Sequence, residues 1–351
     1  MKLFRYILIG LVPLLFGCEK DDYQISGFDS DVLFISRRVE NSAQWNLMAM
    51  NPDGTGQSKL TNLTVRCTRP VISHTGNKVL FVHYSNSGKY ELYSINRDGT
   101  NQTLIDSANR YCGSASWSYD DSKIVYSKNR TPDSDDKDLI LYDLLTHTKD
   151  TLTTSGNNFS ATFTPDGKIV YCHETDPQSC DIYMMDRYGS NNHKLISNAW
   201  NPAPSPDGQK IAYHSTGEVG STQVFVADSD GSGQQQLTSS TSPQTWPGYP
   251  PDGNRDPNWT PDGRKIVYVS WGDGDPEIHI MNADGSNKRK LTDTNERDEH
   301  PVVSQSGKYI LFSSKRNLDM NSEIFIMDIH GNHKKSLTNY KHSDTFPVEM
   351  K

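Results

Sequence analysis

The chain has 351 residues, 34% of them hydrophobic, with 25 Gly, 18 Pro, five Cys and a formal charge of −8. That acidic balance excludes a nucleic-acid or anionic-membrane surface, which needs clustered Lys and Arg, and a mean hydropathy of −0.71 excludes a polytopic membrane protein. The 17 Tyr, 11 Phe and 6 Trp supply the large apolar groups that cores need, so the composition points to a soluble, turn-rich β protein.

Residues 1–17 read as a cleaved export signal. Lys2 and Arg5 make a basic start, and Tyr6 to Gly17 is an apolar run broken by Pro13. The run is shorter than the roughly 17–25 residues of a membrane helix. Its end, Leu15-Phe16-Gly17-Cys18, resembles the bacterial lipoprotein box, although Phe16 replaces the small residue usual at its position. The resemblance implies lipidation of Cys18; the alternative is an ordinary signal peptide that contains a cysteine. Acyl chains would tether the chain to a membrane without a spanning segment, at about 0.8 kcal/mol per buried methylene. Glu19-Lys20-Asp21-Asp22 resembles the acidic surface-export signal of some Bacteroidetes lipoproteins, and residues 18–30 are expected to form a flexible tether. The leader holds two bases and no acid, so without it the charge is −10.

From residue 31 onward one unit repeats about every 45 residues. A first phrase recurs at Val32-Leu33-Phe34, Val79-Leu80-Phe81, Ile124-Val125-Tyr126, Ile169-Val170-Tyr171, Ile211-Ala212-Tyr213, Ile266-Val267-Tyr268 and Ile310-Leu311-Phe312. Each is followed by a second β-branched and aromatic run, such as Glu91-Leu92-Tyr93-Ser94-Ile95 or Glu323-Ile324-Phe325-Ile326-Met327. Pro-Asp-Gly turns precede the first phrase at Pro165, Pro206 and Pro261, where Pro presets φ and Gly accepts positive φ. Asp-Gly hairpin turns at Asp53, Asp98, Asp230 and Asp284 follow the second and lead to Leu-Thr phrases ending at Thr61, Thr238, Thr292 and Thr338. The third unit breaks the pattern with Leu145-Thr146-His147-Thr148. One unit is therefore strand A, turn, strand B, loop, strand C, turn, strand D.

These phrases resemble the WD-like β-propeller repeats of the TolB family, most closely in Asn258-Trp259-Thr260-Pro261-Asp262-Gly263 and Ile280-Met281-Asn282-Ala283-Asp284-Gly285. The resemblance covers residues 31–351. It implies an all-β, seven-bladed propeller of four-stranded antiparallel blades, with a six-bladed count as the alternative. TolB itself has six such blades and a separate N-terminal domain, for which the repeats leave no room. The first unit begins at strand B, and Asp344-Thr345-Phe346-Pro347-Val348 matches the start of unit seven, so the C-terminal strand is expected to complete the first blade.

Strand parity puts the A–B and C–D turns on one face and the B–C and D–A loops on the other. The first set is uniform; the second varies in length and content and makes the expected binding face. Positions aligned just before strand A give a ring of Arg69, Ser114, Ser160, Asn201, Asp256, His300 and Phe346, with Arg66, Arg110, Trp200, Arg255, Asp298, Glu299 and Asp344 beside it. Its mixed charge suits a polar ligand or a peptide, and equally a hydrated channel that binds nothing. Trp246 and Tyr249, in a Pro-rich insertion, offer either a stacking surface or an internal lid. Trp117 and Trp259 occupy equivalent strand-A positions and are expected to wedge between blades.

Chemistry-bearing motifs are scarce. There is no phosphate loop, nucleophile elbow or His-Glu-x-x-His helix in the sequence. His330 and His333 fall in a hairpin turn, and Asp273-Gly274-Asp275-Pro276-Glu277 reads as an acidic loop before it reads as a Ca²⁺ site, so no cofactor or metal is expected. Beyond Cys18 the four cysteines of an exported chain permit two disulfides, Cys172–Cys180 across one B–C loop and, less securely, Cys67–Cys112 between successive units. The expected function is a non-enzymatic, monomeric, outer-membrane-tethered propeller that binds an envelope protein or peptide, with no nucleic-acid partner. The alternative is a glycan binder or a lyase resembling the oligogalacturonate lyases, whose His-rich metal centre has only His300 to match it here. A peptidase gate is the weakest option, because no hydrolase domain accompanies the repeats.

Overall fold

The computed structural model is described over residues 31–37, 44–63, 67–176, 179–216, 221–239, 253–272, 274–315, 321–340 and 343–349. These residues form seven antiparallel four-stranded sheets. The innermost strands A are Asp344–Glu349, Cys67–Ile72, Cys112–Trp117, Asn157–Phe163, Ala199–Pro204, Asn254–Trp259 and Arg297–Val303, in blades 1 to 7. Six blades run A-B-C-D in chain order. Blade 1 takes its inner strand, Asp344–Glu349, from the far end of the chain and pairs it with Val32–Ser36, which settles the count at seven and closes the ring.

The central residues of strands B are apolar on both faces because both of those faces are covered. In Val32–Ser36, Val32 and Phe34 pack toward blade 7 with Leu311 and Ile324, whereas Leu33 and Ile35 pack toward blade 2 with Val79 and Phe81. Each of the seven apolar clusters lies between two consecutive blades. The core is therefore seven thin slabs, and the modest apolar content suffices because each short strand serves two of them. Trp117 and Trp259 sit at these seams: their indole N–H groups donate to the Val71 carbonyl at 3.1 Å and the Ala203 carbonyl at 2.8 Å, each on the inner strand of the preceding blade.

Both turn motifs have a packing partner. In the C–D turns the Asp carboxylate accepts from the Thr or Ser two residues on, as from the Thr100 amide to Asp98 at 2.9 Å and the Ser232 amide to Asp230 at 2.9 Å. Glycine follows because it carries positive φ and because a Cβ there would meet a Leu at the strand-D end of the preceding blade. That Cβ would lie 2.5 Å from the Leu337 carbonyl oxygen at Gly54 and 2.6 Å from that of Leu195 at Gly231. The irregular third turn instead uses His147 at φ 59°, whose ring nitrogen lies 2.8 Å from the Tyr142 hydroxyl.

The Thr of Leu-Thr locks strand D to strand C. The Oγ1 of Thr61, Thr153, Thr238, Thr292 and Thr338 accepts from the amide of Leu47, Leu139, Val224, Ile278 and Ile324 at 2.9–3.0 Å. It also bonds the preceding polar side chain of strand C: Asn46, Gln223, Glu277 or Glu323. Glu277 is buried, and that burial, reinforced by the neighbouring Asp298, raises its pKa above the ordinary carboxylate value. A group protonated more readily in the folded state stabilises at low pH and loses that contribution as pH rises. Blade 5 holds the neutral version, where Gln223 Oε1 accepts from Thr238 and from Asn254 Nδ2 at 2.9 Å. Glu277→Gln is therefore expected to raise the thermal midpoint at pH 8 by more than at pH 4.5, and equal shifts at the two pH values would refute this reading.

Candidate functional site

The ring lies inside strand A rather than before it. Ser114, Ser160, Asn201, Asp256, His300 and Phe346 each take φ of 47–55°, the left-handed region, and the A–B register slips at the same point in every blade. Each blade thus carries a β-bulge on the inner strand, which turns one non-glycine side chain out of the ladder. Pro70, Pro202, Pro257, Pro301 and Pro347 follow the bulge residue in five blades, at a position where no ladder N–H is needed. A left-handed non-glycine residue costs about 1–2 kcal/mol. Side-chain contacts run around the ring: Ser160 Oγ bonds Asn201 Oδ1 at 3.2 Å, Asn201 Nδ2 bonds Asp256 Oδ1 at 3.2 Å, and the His300 and Phe346 rings lie 4.3 Å apart. The Arg69 position falls at the bulge of blade 2, and its side chain is outside the described residues.

At the mouth on the B–C and D–A side, blades 6, 7 and 1 assemble the densest group of charged and aromatic side chains. The guanidinium groups of Arg255 and Arg297 lie 5.1 and 4.8 Å from the centroid of the buried Trp271 ring. Both reach Glu299 Oε1, Arg297 at 3.2 Å and Arg255 at 3.8 Å, and Arg255 also lies 3.7 Å from Asp256. Next to them is a cavity of about 270 Å³ lined by Trp45, Arg297, Glu299, His300, Lys315 and Thr345 among others. His300 Nδ1 is 2.9 Å from Ser313 Oγ. Strand parity explains the grouping, since Arg297 and Glu299 are two apart on one strand face. Sequence reasoning missed Arg297 and Trp271, although that same parity points to Arg297.

The other expected site residues are dispersed. Arg110 sits on the rim, paired with Asp135 at 2.8 Å. Trp200 stacks on His214 with centroids 6.1 Å apart; burial, with Arg255 adding to it and Asp256 opposing, pushes the His214 pKa down to about 4, so that ring is neutral at physiological pH. Asp298 is fully buried inside blade 7, where its amide donates to the Pro276 carbonyl at 2.8 Å and its carboxylate faces Thr294. It is thus an interior group and not a rim group, because it faces away from Glu299. Trp246, Tyr249, Arg66 and Cys18 lie outside the described residues. His333 lies in its hairpin turn, 3.1 Å from Asp328. Among the described residues no three His, Cys, Asp or Glu side chains converge to hold a metal ion, and no helix is long and apolar enough to cross a membrane.

Cys67, Cys112, Cys172 and Cys180 are all buried. Cys67 and Cys112 belong to different inter-blade slabs, with the sheet of blade 2 between them. Burial pushes the Cys112 pKa up to about 12. The Cys180 thiol instead hydrogen-bonds Cys172, and that contact, with burial, raises its pKa. Cys172 also accepts the Asn201 amide at 3.3 Å. Mild oxidation followed by non-reducing peptide mapping is expected to recover a Cys172–Cys180 bridge; recovery of Cys67–Cys112 would contradict the blade assignment.

Comparison with known proteins agrees with this architecture. The model of the TolB beta propeller domain matches residues 78–256 and 254–348. An uncharacterized protein, Atu1656, of Agrobacterium fabrum is 29% identical over 116 residues, which span 33% of this chain and 36% of that protein. This chain therefore matches only about a third of that relative's length. Among solved structures, TolB from Acinetobacter baumannii superposes with a TM-score of 0.58 at 18% identity, over 91% of this chain and 82% of that one. An oligogalacturonate lyase in complex with manganese superposes with a TM-score of 0.61 at 16% identity, over 88% and 85%. Identities this low show a shared fold alone. The family match covers well over half of the sequence, and the chain belongs to the TolB beta propeller domain family.

Proposed function

We propose that this chain is a non-enzymatic binding or scaffolding propeller of the cell envelope, tethered through Cys18, that holds a protein or peptide partner on the face of its B–C and D–A loops. The observation that carries this reading is the Arg255–Trp271–Arg297–Glu299 group beside the 270 Å³ cavity. Trp and Arg dominate binding hot spots because they combine large rigid contact area with directional hydrogen bonding. Both signs of charge occur within one short radius, which suits a peptide better than a polyanion. The opposite face is occupied by turns whose Asp and Gly are committed to closing hairpins and clasping the preceding blade.

The mature chain, immobilised on beads, is expected to capture one envelope partner, and Arg255→Ala or Glu299→Lys should reduce capture at least about tenfold. Lys288→Ala, in a C–D turn on the far face, should leave it unchanged. Equal capture by all variants would overturn the face assignment. A glycan-directed reading is supported by the fold likeness to the lyase and by His300 at the cavity wall. Cleavage of an oligogalacturonide by the purified, metal-supplemented chain would replace the binding reading with that one.

A further inference from the structure

A second cavity, of about 510 Å³, lies elsewhere on the same side, between blades 2 and 3, with the inner strand of blade 4 contributing to its wall. Its walls include Val71, Leu80, Val82, Tyr90, Tyr111 and Gly113. The volume falls within the range of about 300–1,000 Å³ typical of ligand clefts. One lining position sets blade 3 apart from the others. Gly113 occupies the register slot immediately before the bulge, and the same slot holds Thr68, Phe159, Trp200, Arg255, Glu299 and Thr345 in the other blades. A Cβ at Gly113 would point at Val82 Cγ2, 3.1 Å away, and at the Tyr111 ring. Blade 3 alone omits the side chain that would fill this space, and its backbone there is not left-handed, so the glycine is not required by φ.

The lining defines what fits. The hydroxyl groups on the channel side are already engaged: Tyr111 with Ser114 at 2.5 Å, Ser116 with Thr162 at 3.2 Å, and Ser160 with Asn201 at 3.2 Å. What remains to a ligand is aliphatic surface and aromatic faces. Tyr84, Tyr90 and Tyr111 form a chain of ring contacts from the exposed rim inward, with centroids 5.0 and 6.3 Å apart. The Lys137 ammonium lies 5.3 Å from the Tyr111 centroid and 6.0 Å from that of Phe159, a cation at the lip of an apolar well. A sugar ring needs many directional polar partners, whereas most of this lining is aliphatic and aromatic. An aromatic side chain needs area and ring edges, which this lining offers.

We infer that this cavity is a subsite for an aromatic side chain, Trp or Phe, presented by an extended segment of the protein partner, and that Gly113 is the residue that opens it. The inference rests on the binding reading above and adds the side-chain class that the partner must carry. Filling the well with the kind of residue found in the other blades should abolish binding, with Val82 giving way slightly, since an added Cβ would lie 3.1 Å from its Cγ2.

The test uses the mature chain and three probes, N-acetyl-tryptophan amide, N-acetyl-serine amide and trigalacturonate, titrated by saturation-transfer NMR. The tryptophan probe is expected to bind the wild type, the serine probe not, and Gly113→Leu should weaken the tryptophan probe at least about tenfold. A melting curve confirms that the variant is folded. Should Gly113→Leu fail to fold, Tyr90→Ala decides, with a loss of about tenfold expected and unchanged affinity overturning the proposal. Equal binding of the tryptophan probe to folded Gly113→Leu, or trigalacturonate binding that Gly113→Leu abolishes, would overturn it as well. If partner capture is lost on Arg255→Ala but kept on Gly113→Leu, the subsite fails while the binding reading stands. If the probe is lost on Gly113→Leu and no partner is captured, the subsite stands and the binding reading fails.

Discussion

Deletion of residues 342–351 is expected to remove cooperative unfolding altogether. The lost strand, Asp344–Glu349, is the inner strand of blade 1, paired along Val32–Ser36. Phe346 and Val348 pack into the slab between blades 1 and 2, and Asp344 is fully buried. Its Glu349 carboxylate also bonds the Gln305 amide of blade 7, so the strand touches the neighbours on both sides. Without it, strand B of blade 1 becomes an open edge on the channel, and two slabs lose a wall. Domains are stable by only about 5–15 kcal/mol, and the removal of several buried apolar groups plus a strand ladder is of that size. Calorimetry of the truncated chain should show no sharp transition, or one shifted down by far more than 10 °C, taking about 2–4 °C per kcal/mol for a large domain. An unchanged transition would mean that blade 1 closes in another way.

Gly231→Ala is expected to be strongly destabilising for a single added methyl in a C–D turn. The residue has φ 83°, and a Cβ would sit 2.6 Å from the Leu195 carbonyl oxygen and 3.0 Å from that side chain, in the adjacent blade. Two effects add: left-handed strain on a residue that has a Cβ, and a forced separation of blades 4 and 5 at their outer clasp. Together they should cost about 3 kcal/mol. Gly274→Ala offers the control, since φ there is also positive, at 103°, but no atom lies within 4 Å of the added methyl. That variant should lose only the conformational part. Comparable losses in urea denaturation of the two variants would show that the clasp onto Leu195 contributes little. A Gly231→Ala loss at least twice the other's is the expected result.

The architecture was legible because the repeats write it seven times. Apolar phrases buried on both faces, Asp-Gly turns and Leu-Thr phrases each have one structural job, and the match of Asp344–Val348 to the opening of unit seven foretold the closure. The ring positions were found by alignment, but not their geometry. Ser, Asn, Asp, His and Phe share a left-handed backbone there, and nothing in those residue types announces it. Alternation on the strand is what separates Asp298 from Glu299: alignment put both on the rim, whereas adjacent residues ahead of the bulge face opposite sides and Asp298 is buried. Sequence equivalence in successive blades is not proximity: Cys67 and Cys112 occupy different slabs with a sheet between them. The Gly113 cavity was invisible for a simpler reason. A missing side chain has meaning only once the register shows what stands in the same slot of the other blades.

The binding face can be tested directly by site-specific photo-crosslinking in cells that make the chain. A photo-activatable amino acid is placed at Lys315, which lines the 270 Å³ cavity, and separately at Lys288, in a C–D turn of blade 6. A discrete cross-linked partner from position 315 and none from position 288 is the predicted result. A partner captured from position 288 alone would place binding on the face of the turns and contradict the assignment.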